Sequence, residues 1–303
     1  MNPNSINIVF FHSPCQDGLA AAWAGYTYSR QHNLTYEFVG IGNNNAAFPP
    51  TVDITGKNIL FVDYAPNDLQ LAELDAKAKD YFIIDHHKTN EQRFKDSPKA
   101  IFKMDKSGAG LTWEYFFPDM KVPMALQYIQ DRDIWTWALA ETKAFCEGFY
   151  FHSASTYSTQ EAFDLFTDCY DNIDRIGEII RLGTTLLKKK EKTVYDTCKH
   201  VTNKTYIWNG LKVCLVNCDH ELGSDLASAI LTKYDYDFVV CWRYNHTNEE
   251  YNMSLRSADR ADVSEIAKSF GGGGHKNASG ARTKIHPSLL FNSEAVDAIR
   301  PTY

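Results

Sequence analysis

The apolar run Tyr81-Phe82-Ile83-Ile84 stops abruptly at Asp85-His86-His87. A short apolar run bounded by polar residues is the pattern of a strand buried on both faces, as in a parallel sheet covered by helices. Open sheets of that kind hold their ligands where the carboxyl ends of the strands meet a crevice. Two earlier runs end in the same manner. Ile6–Phe11 leads into the turn His12-Ser13-Pro14-Cys15-Gln16-Asp17-Gly18, and Asn58–Val62 leads into Asp63. Three strand ends therefore place carboxylates or imidazoles on one edge of the expected sheet. Carboxylate with neutral imidazole is a donor set for a divalent ion. Taken alone, Asp85-His86-His87 fits equally well a solvated cluster or core histidines satisfied by hydrogen bonds.

The segments between these runs read as crossover helices. Leu19–Ala24 is a small-residue helix able to pack closely on the sheet, Tyr36–Ile41 is a second strand, and 68–79 is a helix. Ser107 is a plausible N-cap for a helix opening Gly108-Ala109-Gly110. Pro123 leads into a helix that closes with Asp131-Arg132-Asp133, so either acid can turn inward or remain solvated. From Ile173 to about Lys199, apolar residues recur at helical spacing around a lysine run, which predicts a long connecting helix with a solvated basic face. Strands at 212–216, 237–242 and 251–256, with helices at 224–234 and 262–270, complete a second, smaller α/β domain. In Phe270-Gly271-Gly272-Gly273-Gly274-His275, successive backbone N–H groups can converge on an anion, with His275 and Arg256 adding charged donors. No Gly-Lys-Ser/Thr ends the run, so it is not a Walker loop; a plain flexible linker is the alternative.

With 303 residues, the chain has room for about two domains. A formal charge of -7 argues against long duplex nucleic acid as a partner, since non-specific binding requires a basic surface, but leaves a small anion held by a metal compatible. There is no apolar run of membrane-spanning length and no basic secretory start, so a cytoplasmic location without membrane contact is expected. Seven scattered cysteines without paired CxxC spacing predict neither a disulfide framework nor a structural zinc site.

Taken together, Asp85-His86-His87, Val62-Asp63, Asp131, and Leu255-Arg256-Ser257 followed by 271–280 resemble, in order and over nearly the whole chain, the motifs of the DHH/DHHA1 phosphoesterases. The resemblance implies an α/β fold with a parallel-sheet N-terminal DHH domain (1–175), a connecting helix (176–204) and a smaller α/β DHHA1 domain (205–303). It implies a manganese centre of two ions, or of one ion if the Cys15 position binds weakly, with Mg2+, Zn2+ or Fe2+ as other occupants. The implied ligands are His12, Cys15, Asp17, Asp63 as the bridge, His86 and Asp131, with His87 facing the phosphate and Asp85 beside it as the catalytic pair. Arg256, Ser257, Gly272, Gly273, Gly274 and His275 would hold substrate. Cys15 departs from the family, where an aspartate usually stands in the first motif. A two-metal site with Cys15 or His12 as substitute ligand, a single-metal enzyme, and a nucleotide sensor with a degraded centre all follow. The implied reaction is hydrolysis of short single-stranded oligonucleotides or dinucleotides to mononucleotides, with a 3',5'-bisphosphonucleotide phosphatase as alternative. Many members are homodimers, although no feature of this chain marks an interface.

Overall fold

The computed structural model describes residues 1–42, 47–153, 158–200, 205–291 and 294–296. The expected end of the connecting segment, 201–204, and the last seven residues of the expected C-terminal domain lie outside the described residues. The chain divides into two units, Met1–Leu187 and Lys188–Tyr303.

The first unit contains β1 (Ile8–His12), α1 (Gln16–Gln31), β2 (Glu37–Ile41), β3 (Asn58–Val62), α2 (Asp68–Lys77), β4 (Asp80–Asp85), α3 (Glu91–Phe94), β5 (Ala100–Phe102), α4 (Gly108–Phe116), α5 (Met124–Asp133), α6 (Thr142–Ser153) and α7 (Thr159–Asp171). Its five strands lie in the order β2-β1-β3-β4-β5, all parallel, with Ile8 beside Glu37 on one side and Ile59 on the other. The connection from β1 goes to one neighbour and the chain then returns to the opposite side, so the sheet reverses direction at β1/β3. That reversal opens a crevice at the carboxyl ends of the two strands.

Burial on both faces explains the near-continuous apolar strands. Val9, Phe11, Leu60, Val62 and Ile84 point to one side and pack with Ala20–Ala24 of α1 and Trp113 of α4. Ile8, Phe10, Ile59, Phe61 and Ile83 point to the other side, with Leu74 of α2. The alanines of α1 let a large pair fill the space above them, and Trp23 stacks on Trp113 at 5.7 Å between ring centres. α2 opens with a capping box in which Asn67 and Gln70 each satisfy the other's backbone N–H.

The predicted long helix is α8 (Ile173–His200), and the division between the two units falls within it. The second unit continues with β6 (Thr205–Trp208), β7 (Leu211–Asn217), α9 (His220–Lys233), β8 (Phe238–Asn245), β9 (Glu250–Ser257), α10 (Val263–Ser269), β10 (Gly273–His275), β11 (Ala278–Thr283), α11 (Pro287–Leu290) and β12 (Glu294–Val296). Among the described residues, seven strands run β10-β11-β9-β8-β7-β6-β12, with β7 and β8 paired in parallel and the other pairs antiparallel. The sequence pattern showed the three long central strands; β6, β10, β11 and β12 are short additions to the two sides. No helix among the described residues is long and apolar enough to cross a membrane.

Candidate metal centre

The carboxyl edge of the first sheet gathers most of the residues singled out from the sequence. β1 ends at His12, and the chain turns through Cys15 into α1, whose first turn carries Asp17. A Cβ on Gly18 would lie 2.2 Å from the His12 carbonyl oxygen, so only glycine lets the helix start so close to the strand. β3 ends at Val62, and Asp63 follows in the left-handed region at φ 54°, a conformation that costs a non-glycine residue roughly 1–3 kcal/mol when the surroundings enforce it. β4 delivers Asp85, His86 and His87.

Asp63 stands at the middle of this edge. His12 Nδ1 is 3.4 Å from its Oδ2, and His86 Nε2 is 3.2 Å from its Oδ1. His86 Nε2 also faces Asp17 Oδ2 at 3.7 Å and Asp133 Oδ2 at 3.2 Å. Two groups have the spacing of metal ligands: His12, Asp63 and His87 in one, and Asp17, Asp63 and His86 in the other. The shared carboxylate is what a bridging ligand requires.

The hydrogen bonding supports a cation here. Both carboxylate oxygens of Asp63 and Nε2 of His86 are buried without a hydrogen bond of acceptable direction, although they lie close together. A buried polar atom without a partner is costly, and native structures rarely leave one unexplained. Charge tells the same story. Burial raises the Asp17 carboxyl well above its usual range, and the neighbouring charges of Asp63 and Asp133 raise it further. Asp133 is likewise raised, by burial first, with His86 opposing. In Asp63 burial also works upward, but the imidazoles of His12 and His86 outweigh it and hold the group below its ordinary value. Carboxylates crowded in this way repel one another, and a divalent cation among them relieves the repulsion. The residues present therefore fit a divalent metal.

Supporting contacts fix the ligands. The first N–H groups of α4 hold Asp17: Gly108 donates to Oδ2 at 2.6 Å and Ala109 to Oδ1 at 3.1 Å. Gly108 has a second reason to be glycine, since a Cβ there would fall 2.5 Å from Cβ of Asp63. Ser107 is the N-cap the sequence suggested, its Oγ accepting from Gly110 N–H. Asp85 is fully buried; its Oδ1 lies 2.7 Å from His87 Nδ1, and its Oδ2 accepts from Asn90 Nδ2 at 3.0 Å. A carboxylate only accepts, so His87 carries its proton on Nδ1 and presents Nε2 away from Asp85. This hydrogen bond is the main cause that raises the His87 pKa to about 9.

Several sequence expectations change. Asp131 does not belong to the centre. Its carboxylate accepts from Thr136 Oγ1 at 2.6 Å, Ala138 N–H at 2.7 Å, Leu139 N–H at 3.1 Å and the Thr142 hydroxyl, leaving it no capacity for a cation. Asp133, two residues on, stands where Asp131 was expected. Cys15 joins neither ligand group among the described residues. Burial, then the charges of Asp63 and Asp17, push its thiol far above the ordinary value. Asp85, expected in the catalytic pair, is fully buried and in contact with His87 and Asn90. His87, expected to face phosphate, lies within ligand range of His12 and Asp63.

In the second unit, the first N–H groups of the glycine run are taken by carbonyls. Gly271 N–H donates to Lys268 O and Gly272 N–H to Ala267 O, closing the end of α10. Gly273 and Gly274 then enter β10, paired with Gly280 and Ser279 of β11. A Cβ on Gly272 would lie 2.1 Å from Gly280 O, so glycine here permits the close approach of two strands. Ser257 is also occupied internally, accepting from Ala261 N–H and donating to Asp237 O, each at 3.0 Å. Arg256 and His275 both lie opposite Ala278 in the register, on one row of the sheet. The Arg256 guanidinium donates to Leu255 O at 2.9 Å and to Ser224 Oγ at 3.0 Å, while His275 is exposed on the edge strand.

Comparison with known proteins accords with this geometry. The DHHA1 domain family matches residues 213–299. The uncharacterized protein R106 of Acanthamoeba polyphaga mimivirus is 33% identical over 299 residues, covering 92% of this chain and 68% of that protein. Among solved structures, the pGpG-specific phosphodiesterase PggH of Vibrio cholerae superposes with a TM-score of 0.55 at 13% identity, covering 94% of this chain and 95% of that one. Exonuclease RecJ bound to manganese gives 0.51 at 14% identity, over 95% and 87%.

Proposed function

The chain belongs to the DHH/DHHA1 family of phosphoesterases, and from that premise we propose that it hydrolyses the phosphodiester of short single-stranded oligonucleotides or dinucleotides, releasing mononucleotides. The observation that carries this reading is Asp63, a buried carboxylate that receives no hydrogen bond of acceptable direction and is shared by two ligand groups. Asp17, Asp63, His86 and Asp133 would hold one divalent ion, and His12, Asp63 and His87 a second. The carboxylates suit manganese, while the imidazoles would also accept zinc or iron. With Cys15 outside both groups, no thiolate adds to the preference for zinc or iron. When bound, such ions lower the pKa of an attacking water and offset charge that builds on the phosphoryl oxygens.

The chain's own residues supply position. The N–H groups of Gly108 and Ala109 keep Asp17 in one orientation, and Asp85 with Asn90 fixes the His87 ring. Fixed donors and acceptors need no rearrangement as the reaction proceeds, which is the main source of electrostatic catalysis. A formal net charge of -7 is unlike the basic surface that long polymers require, favouring substrates of a few nucleotides. The likeness to a pGpG phosphodiesterase points to the same size class.

The test is release of mononucleotides from 5'-phosphorylated di- to decanucleotides, pAp and a cyclic dinucleotide, with manganese, magnesium or chelator. Fastest cleavage of the shortest linear substrates, abolished by chelator, is expected. Cleavage of pAp alone would replace the reading by a bisphosphonucleotide phosphatase. Nucleotide binding without any cleavage would leave a sensor.

A further inference from the structure

The segment after Asp133 contains two tryptophans that do no work in the core. Trp135 is 77% exposed, the most exposed of the large apolar side chains among the described residues. Trp135 and Trp137 both adopt left-handed backbone, at φ 59° and 50°. Bulky residues are rare there, and such outliers persist only where the surroundings enforce them. The enforcing group is Asp131. Besides the four donors on its carboxylate, its carbonyl oxygen accepts from Thr136 N–H at 3.1 Å and Trp137 N–H at 3.3 Å. Trp135 N–H donates to Arg132 O at 3.1 Å. A buried carboxylate is thus devoted to shaping a loop whose most prominent side chain faces solvent.

The loop is tied to the centre at its root. Asp133 faces His86, and Arg132 Nη1 donates to Gln16 Oε1 at 2.6 Å, beside Asp17. Trp135 follows two residues after Asp133. Trp137 supports it edge to face, with ring centres 5.6 Å apart at 83°, and Lys143 Nζ lies 5.5 Å from the Trp137 ring. An exposed indole whose backbone and neighbour are both fixed is preorganised for a flat apolar ligand, and every nucleobase offers one π face.

We propose that Trp135, supported by Trp137 and by the Asp131-built loop, is a stacking platform for a nucleobase of the substrate beside the metal centre. This rests on the nucleotide reading given above. Stacking on an exposed face tolerates any base, so the platform would select for the presence of a base rather than for its identity.

The experiment measures equilibrium binding of AMP and of ribose 5-phosphate to the manganese-loaded full chain by calorimetry, for the wild type, Trp135→Ala and Trp135→Phe. Trp135→Ala is expected to weaken AMP binding about tenfold, and Trp135→Phe, which keeps a ring, about threefold or less, with ribose 5-phosphate bound equally by all three. AMP affinity unchanged in Trp135→Ala overturns the proposal. So does an equal loss for ribose 5-phosphate, which would mean the loop merely shapes the centre. Light scattering that shows Trp135→Ala splitting a dimer at unchanged AMP affinity also overturns it and makes the indole a contact between copies of this chain. The two readings fail separately. AMP binding through Trp135 without cleavage of any oligonucleotide defeats the hydrolytic reading alone. Dinucleotide cleavage with an unchanged KM in Trp135→Ala defeats the platform alone.

Discussion

Asp63 and Asp131 are both buried carboxylates, 1% and 5% exposed, near the same sheet edge, yet their surroundings are opposite. Neither Asp63 oxygen receives a hydrogen bond of acceptable direction, whereas the Asp131 oxygens accept four. The difference separates two uses of a buried acid. An acid surrounded by donors holds backbone in place, and removing its charge costs the donors their acceptor. An acid set among imidazoles and other acids, with no donor of acceptable direction, is placed to take a cation.

The contrast orders the expected effects. Asp63→Asn removes the shared ligand and should lower kcat/KM by about a thousandfold or more, while thermal stability measured in chelator falls only modestly, through loss of the attraction between this carboxylate and the His12 and His86 imidazoles. A variant that unfolds in chelator would instead make Asp63 structural. Asp133→Asn should weaken manganese binding roughly 10- to 100-fold with little change in chelator stability; titration calorimetry reads this directly. Asp131→Asn should do the reverse, lowering folding stability by about 1–3 kcal/mol at nearly unchanged manganese affinity. Its pH dependence has a definite sign. Burial alone would raise the Asp131 pKa, but the Thr136, Thr142, Ala138 and Leu139 donors hold it at about 2, below the ordinary 3.8. Stability from this group is present above 3.8 and is lost as the pH falls toward 2, so urea midpoints of wild type and Asp131→Asn should converge there. Cys15→Ser should be the mildest, changing manganese affinity by less than about tenfold, below the range of a lost ligand.

The three strand ends were legible because one pattern, an apolar run closed by a polar group, reports both the strand and the edge on which it finishes. Asp131 and Asp133 were not separable on the same grounds. They share a helix end, and the donors that claim Asp131 come from 136–142, a loop whose path no periodicity reveals. Gly108 was visible as a helix-opening glycine, but its necessity is a contact with Asp63 from a distant strand. The run 271–274 signalled conformational freedom, and freedom serves an anion nest and a tight hairpin equally. Which of the two forms depends on whether the N–H groups find carbonyls, and at Gly271 and Gly272 they do.

The strand order carries a consequence for how this unit is assembled and how long it survives. The residues that would clasp a cation come from β1, α1, β3, β4 and the end of α5, segments scattered from His12 to Asp133. Parallel strands can pair only after their crossovers are laid down, so the clasp closes late in folding. A cation bound there would join the first strand to the end of α5, more than a hundred residues later, and at a hundred times its dissociation constant would add about 2.7 kcal/mol against unfolding. Metal supply would then govern the protein's resistance to proteolysis and its steady-state amount, as well as its turnover.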